Sequence, residues 1–110
     1  MIKASFERNA EQEIIYFRLT GHADSGPYGS DIVCAAVSAV AIGAVNGVEV
    51  LAGFEPQVKM DEENGGHLEL RLPANLTLEQ NKTAQIILAN LHLSLESIVA
   101  SYPDYVVIKK

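Results

Sequence analysis

Residues 30–45 read Ser30-Asp31-Ile32-Val33-Cys34-Ala35-Ala36-Val37-Ser38-Ala39-Val40-Ala41-Ile42-Gly43-Ala44-Val45. Ser30 and Asp31 are of the types that cap helix N-termini, and they stand directly before an uncharged apolar run. The pattern predicts a helix from there to about Leu51, ending near Ala52-Gly53. Ala and Val occupy nearly every side of it, so it needs cover on more than one face. A sheet covers one face; a second helix or a partner subunit must cover the rest. Asn46 and Glu49 interrupt the run before the roughly 20 apolar residues that a bilayer requires. The segment reads as a core helix, with no membrane partner.

Outward from this helix, strands come in pairs. Ile2 to Glu7 alternates Ile2, Ala4 and Phe6 with Lys3, Ser5 and Glu7. Glu13 to Thr20 places Ile15, Phe17 and Leu19 on one face, and Arg8-Asn9-Ala10-Glu11 reads as the hairpin connection. Gly21 to Ser30, with Gly21, Gly26, Pro27 and Gly29, is an aperiodic loop. A second hairpin joins Gln57–Asp61 to His67–Leu72 through Glu63-Asn64-Gly65-Gly66, where Asn-Gly is a turn signal. Thr77 and Gln80 have capping-box spacing, and the helix they open carries Ala84, Leu88, Leu91, Leu95, Ile98 and Tyr102 on one stripe before Pro103 stops it. A last strand runs from Tyr105 to Ile108. The expectation is an α+β single domain, residues 1–110, of ββαββαβ order, with a largely antiparallel sheet packed with two helices.

Composition narrows the function. The 110 residues are 48% hydrophobic and 20% charged, which excludes intrinsic disorder, and they suit one core rather than two. Fourteen acidic side chains against eight basic ones give a net charge of −6, which argues against nucleic acid and suits a basic target. One cysteine excludes an internal disulfide, and no Cys/His cluster of zinc spacing exists, so no metal and no cofactor are expected. The start, Met1 to Glu7, lacks the apolar stretch of a signal peptide, so a reducing cytoplasm is the expected location.

That single thiol, Cys34, falls in the first turn of the helix if Ser30 or Asp31 caps it. Helix N-termini carry partial positive charge and unpaired N–H groups, which favour thiolate over thiol. The competing reading is a small hydrophobe packed between Val33 and Ala35. His22 ends the second strand in Gly21-His22-Ala23, and a cysteine nucleophile needs a base of its kind. The intervening loop permits the two to approach without proving that they do.

Gly21-His22-Ala23, a Gly-containing loop, and then Asp31-Ile32-Val33-Cys34-Ala35-Ala36-Val37-Ser38 closely resemble the ribosomal-processing cysteine protease family, Prp. The length and the ββαββαβ order fit the same family. The resemblance implies a catalytic dyad of His22 and Cys34, and homodimers. It implies a cysteine endopeptidase that removes the N-terminal extension of a large-subunit ribosomal protein (L-twenty-seven), cutting after a phenylalanine and before a small residue. Gly21, Asp31, Ala35 and Ser38 become supporting or substrate-binding candidates. Asp31 either caps the helix, the favoured role, or orients His22 as a third member. The loop from Ala23 to Ser30 reads either as a lid or as an ordinary connection. His67 and His92 read as surface or packing residues. The alternative function is a non-catalytic acidic module that binds a basic ribosomal segment; a thiol hydrolase of small esters or thioesters is a third.

Overall fold

The computed structural model describes residues 1–21, 29–61 and 66–109. Its elements run β1 (Ile2–Arg8), β2 (Ile14–Thr20), α1 (Gly29–Gly47) with a π-helical turn (Val48–Ala52), β3 (Gln57–Asp61), β4 (His67–Arg71), α2 (Leu78–Ser101) and β5 (Val106–Lys109). The five strands form one sheet in the order β3-β4-β2-β1-β5. Three of its pairings are antiparallel, and β1 pairs with β5 in parallel. The α+β class, the element order and the largely antiparallel sheet are therefore as expected.

Register explains why the sheet has one apolar face. Ala4 stands opposite Leu19, Leu19 opposite Leu68, and Phe17 opposite Leu70, while Ile2 pairs with Val106. All of these are buried. Period-two alternation sends Lys3, Ser5, Glu7, Arg18 and Glu69 to the opposite face. Against the apolar face α1 lays Val33, Val37, Ala41 and Val45, and α2 lays Leu88, Leu91 and Leu95, in one cluster. Ile32–Ala52 and Leu78–Ser101 are each long and apolar enough, by length and composition, to cross a membrane. Here both turn a stripe into this core.

The expected face of β2 needs one correction. Register shifts between Glu7 and Arg8, so that Arg8 pairs with Ile14 and Glu7 with Tyr16. Ile15 is thus the extra residue of a bulge. Ile14, not Ile15, takes the fully buried place, at 1% exposure. The Gln85 side chain stands in for a strand neighbour there: its Oε1 accepts from the Ile14 N–H at 2.7 Å, and its Nε2 donates to the Ile14 carbonyl at 2.8 Å.

The two helix starts differ. Thr77 caps α2 as expected, its hydroxyl accepting from the Gln80 N–H at 3.1 Å while Gln80 Oε1 accepts from the Thr77 N–H at 3.0 Å. α1 begins earlier than expected, at Gly29, so Ser30 and Asp31 are its second and third residues rather than its cap. An acid in the first turn suits the positive end of the helix as well as a capping one does. The helix also does not run regularly to Leu51. From Val48 it widens into the π turn, and Gly53, at φ +79°, ends it in the left-handed conformation that a glycine adopts without strain. The second cover for α1 comes from α2: at Gly47 an added Cβ would stand 3.5 Å from Ile87. The Asn64-Gly65 turn lies outside the described residues.

Candidate active site

A cleft of about 290 Å³ opens beside α1, at the end of the sheet where β1 begins and β2 ends. Cys34, Ser38 and Ile42 line it at four-residue intervals along α1, which puts them in one row on the helix surface. Gly21, Gly66, His67 and Leu68 come from the sheet ends, and Met60 from β3.

Cys34 is half-buried and not in a disulfide. As the sixth residue of α1 it lies in the second turn, not the first. Two consequences follow from helix geometry. Its N–H belongs to the intrahelical ladder, four residues on from the carbonyl of Ser30. Its side chain tilts toward the helix N-terminus, where the first-turn N–H groups have no intrahelical partner. The side chain packs against the hydrophobic core, as the small-hydrophobe reading has it, and also lines the open cleft, as a nucleophile requires.

Gly21 is fixed by its surroundings. Its φ is +86°, and a Cβ at this position would stand 2.4 Å from the Met1 carbonyl oxygen. Its N–H donates to the Gly66 carbonyl at 3.0 Å. Only glycine tolerates that combination of left-handed backbone and close approach. The end of β2, from which the chain continues into His22, is thereby tied to β1 on one side and to the β3–β4 hairpin on the other.

Of the residues singled out by sequence, the structure brings Gly21, Cys34 and Ser38 together around the cleft. Ala35 is exposed and outside the cleft's described lining, because one residue along a helix turns about 100° away from Cys34. Asp31 is placed only by its backbone, in the first turn of α1. His22 and residues 23–28 of the candidate lid lie outside the described residues, so its approach to Cys34 stands as an expectation. No group of His, Cys, Asp or Glu able to hold a metal ion occurs among the described residues.

Sequence reasoning did not place His67 at the site: it reads as a surface or packing residue, and it borders the cleft. The missing signal was register: His67 pairs with Thr20 across β4 and β2, which sets it beside Gly21. Its Nε2 meets the Glu69 carboxylate, which also accepts from the Tyr16 hydroxyl. The Arg71 guanidinium lies 4.5 Å over the Tyr16 ring and donates to Glu7 at 3.2 Å. The hydrogen bond from Tyr16, and then that to His67, hold the Glu69 carboxyl below its ordinary pKa. Burial, followed by the hydrogen bond to Glu69, pushes the Tyr16 phenol above its own. This network braces the outer side of the sheet at the cleft rim.

Residues 1–107 match the cysteine protease Prp family. The chain belongs to that family. Among its relatives, the ribosomal processing cysteine protease Prp of Bacillus subtilis is 42% identical over 104 residues, 94% of this chain and 92% of that protein. The protein of the same name from Staphylococcus aureus is 38% identical, over 94% of this chain and 93% of its own. The fold agrees with solved Prp structures. The S. aureus enzyme in complex with a substrate peptide superposes with a TM-score of 0.84 at 34% identity, covering 99% of this chain and 98% of that one. The same enzyme with a covalently linked product peptide gives a TM-score of 0.75 at 33% identity, with coverage of 99% and 98%. This chain is thus a cysteine peptidase by family, and Cys34 is its one cysteine.

Proposed function

We propose that the protein removes the N-terminal extension of a large-subunit ribosomal protein, with Cys34 as nucleophile and His22 as base. The observation that carries this reading is the position of the chain's one thiol, bordering an open cleft beside the strand end that leads into His22. The S. aureus relative that holds a covalently linked product peptide supports a covalent route.

His22 takes the Cys34 proton, and the thiolate attacks the scissile carbonyl. The carbon–nitrogen bond breaks as His22 returns its proton to the leaving amine, leaving a thioester. Water, deprotonated by His22, then adds to the thioester and releases the acyl product and the thiol. The tetrahedral oxyanion needs N–H donors, each typically worth about 3 kcal/mol. Because the Cys34 N–H is committed within the helix, these donors come from the first turn of α1, toward which the side chain tilts. Cys34 also lies beyond the turn where the helix-end field acts most strongly, which leaves its activation chiefly to His22. Asp31, in that first turn, supports the site from the helix rather than as its cap, and Ser38 lines the substrate path one turn beyond Cys34.

The enzyme works in the cytoplasm, where a lone thiol stays reduced, and as a homodimer. Ile32, Val50 and Leu51 of the α1 segment remain 56%, 77% and 70% exposed, an apolar surface suited to a second copy. The net charge of −6 favours encounter with a basic ribosomal peptide. The test is incubation with the extended ribosomal protein under reducing conditions, with product mass as readout. Wild type should release the extension, while Cys34→Ser and His22→Ala should not. Intact substrate bound by wild type would instead indicate the non-catalytic binding module.

A further inference from the structure

β3 is an edge of the sheet, and no strand pairs with its outer side among the described residues. All five of its residues are exposed. This is unexpected for Val58 and Met60, which stand opposite Leu70 and Leu68 and share their apolar face. Burial stops at β4: Leu68 and Leu70 are buried, whereas Val58 and Met60 are 37% and 49% exposed. The helix layer therefore leaves β3 overhanging as an apolar shelf, its outer edge paired with no strand among the described residues. At the opposite edge, Val106 of β5 is buried, and Val107 and Ile108 are half-buried. The overhang also adjoins the nucleophile, since Met60 lines the same cleft as Cys34.

We infer that the outer edge of β3 receives the peptide substrate as an added strand, and that Val58 and Met60 select apolar side chains at alternate substrate positions. The inference rests on the protease reading above and names how that site takes its substrate. Every second residue of an edge strand turns its N–H and C=O outward, ready to pair with an extended chain. Strand addition supplies affinity through the backbone and selectivity through every second side chain. Inward side chains of the added strand fall within about 5 Å of Val58 and Met60, the usual cross-strand distance. The intervening ones lie beside Gln57, Lys59 and Asp61, where polar residues are accepted. Continuity between shelf and cleft then carries the extended chain past Cys34 with its carbonyls accessible.

The test uses the full-length protein and peptides spanning the cleavage site of the extended ribosomal protein, each with one amide N-methylated. Binding to Cys34→Ala and cleavage by wild type are both measured. Methylation at alternate residues on one side of the scissile bond should weaken binding about tenfold, while the residues between them should be insensitive. Met60→Lys should raise KM about tenfold with kcat retained, and its thermal melt should match wild type because Met60 is half-exposed. Cleavage that is indifferent to the phase of methylation, together with a wild-type KM for Met60→Lys, would overturn the β3 assignment and leave the protease reading standing. Failure of the unmodified peptide to be bound or cut would overturn the protease reading itself, and this assignment with it.

Discussion

The α2 side of the molecule and the Cys34 end are built by opposite rules. α2 is closed at both ends and along one stripe: a reciprocal capping box at Thr77 and Gln80, a buried stripe of Ala84, Leu88, Leu91 and Leu95, and a C-terminal N–H from Tyr102 to the Ile98 carbonyl. The Cys34 end is left open. Its helix begins at a glycine, its thiol borders a cleft, and the neighbouring strand β3 overhangs with apolar residues exposed. α2 also leaves Leu78, Ile86 and Leu93 exposed, but outside the described lining of the cleft, whereas exposed Met60 lies within it, where a substrate can cover it.

Substitutions should separate the two regions. The largest stability effect belongs to α2: Leu88→Ala, at a fully buried position, should cost about 3 kcal/mol by denaturant titration, yet leave kcat per folded molecule unchanged. A fall in kcat at full folding would break the separation. Gly21→Ala should cost about 2 kcal/mol from backbone strain, before any displacement of the Met1 carbonyl. Unlike Leu88→Ala it should also depress activity in the folded fraction, because Gly21 sets the direction of the chain into His22. Thr77→Ala removes half of the capping box and should cost about 1 kcal/mol without effect on KM.

Glu69→Gln should give the smallest change and the only one tied to pH. The Glu69 carboxyl titrates lower in the folded protein than in the unfolded chain, because Tyr16 and His67 hydrogen-bond to its ionised form. Its contribution is therefore present above the ordinary glutamate pKa of about 4.3 and lost as pH falls through the lowered folded value. The difference in melting temperature between wild type and Glu69→Gln should be visible at neutral pH and vanish in acid. A constant difference across that range would show that the network acts by packing alone.

The same contrast governs what was legible in the sequence. α2 could be read from Thr77 to Pro103 because capping, periodicity and termination are local signals. The strands could be read from alternation, but their pairing could not. That loss concealed the Ile15 bulge, which depends on a side chain from α2, and the cleft position of His67, which depends on the partner strand. The start of α1 at Gly29 was missed because an acidic residue suits either a cap or a first turn. Cys34 and Ser38, singled out from the motif and its four-residue interval, both line the cleft, whereas Ala35 of the same motif lies outside its described lining because helix geometry turns it away. Exposure of Val58 and Met60 had no local signature, since the alternation of β3 resembles that of a covered strand.

The central claim is that Cys34 is an activated nucleophile inside a peptide-binding cleft. The most direct measurement is intact-mass analysis of the protein after brief exposure, near neutral pH, to a chloromethyl ketone built on the substrate peptide ending in phenylalanine. The account predicts one adduct per chain, located at Cys34 by peptide mapping, formed far faster than with a scrambled peptide, and suppressed in His22→Ala. Labelling at equal rates by both peptides, or a rate unaffected by His22→Ala, would contradict it.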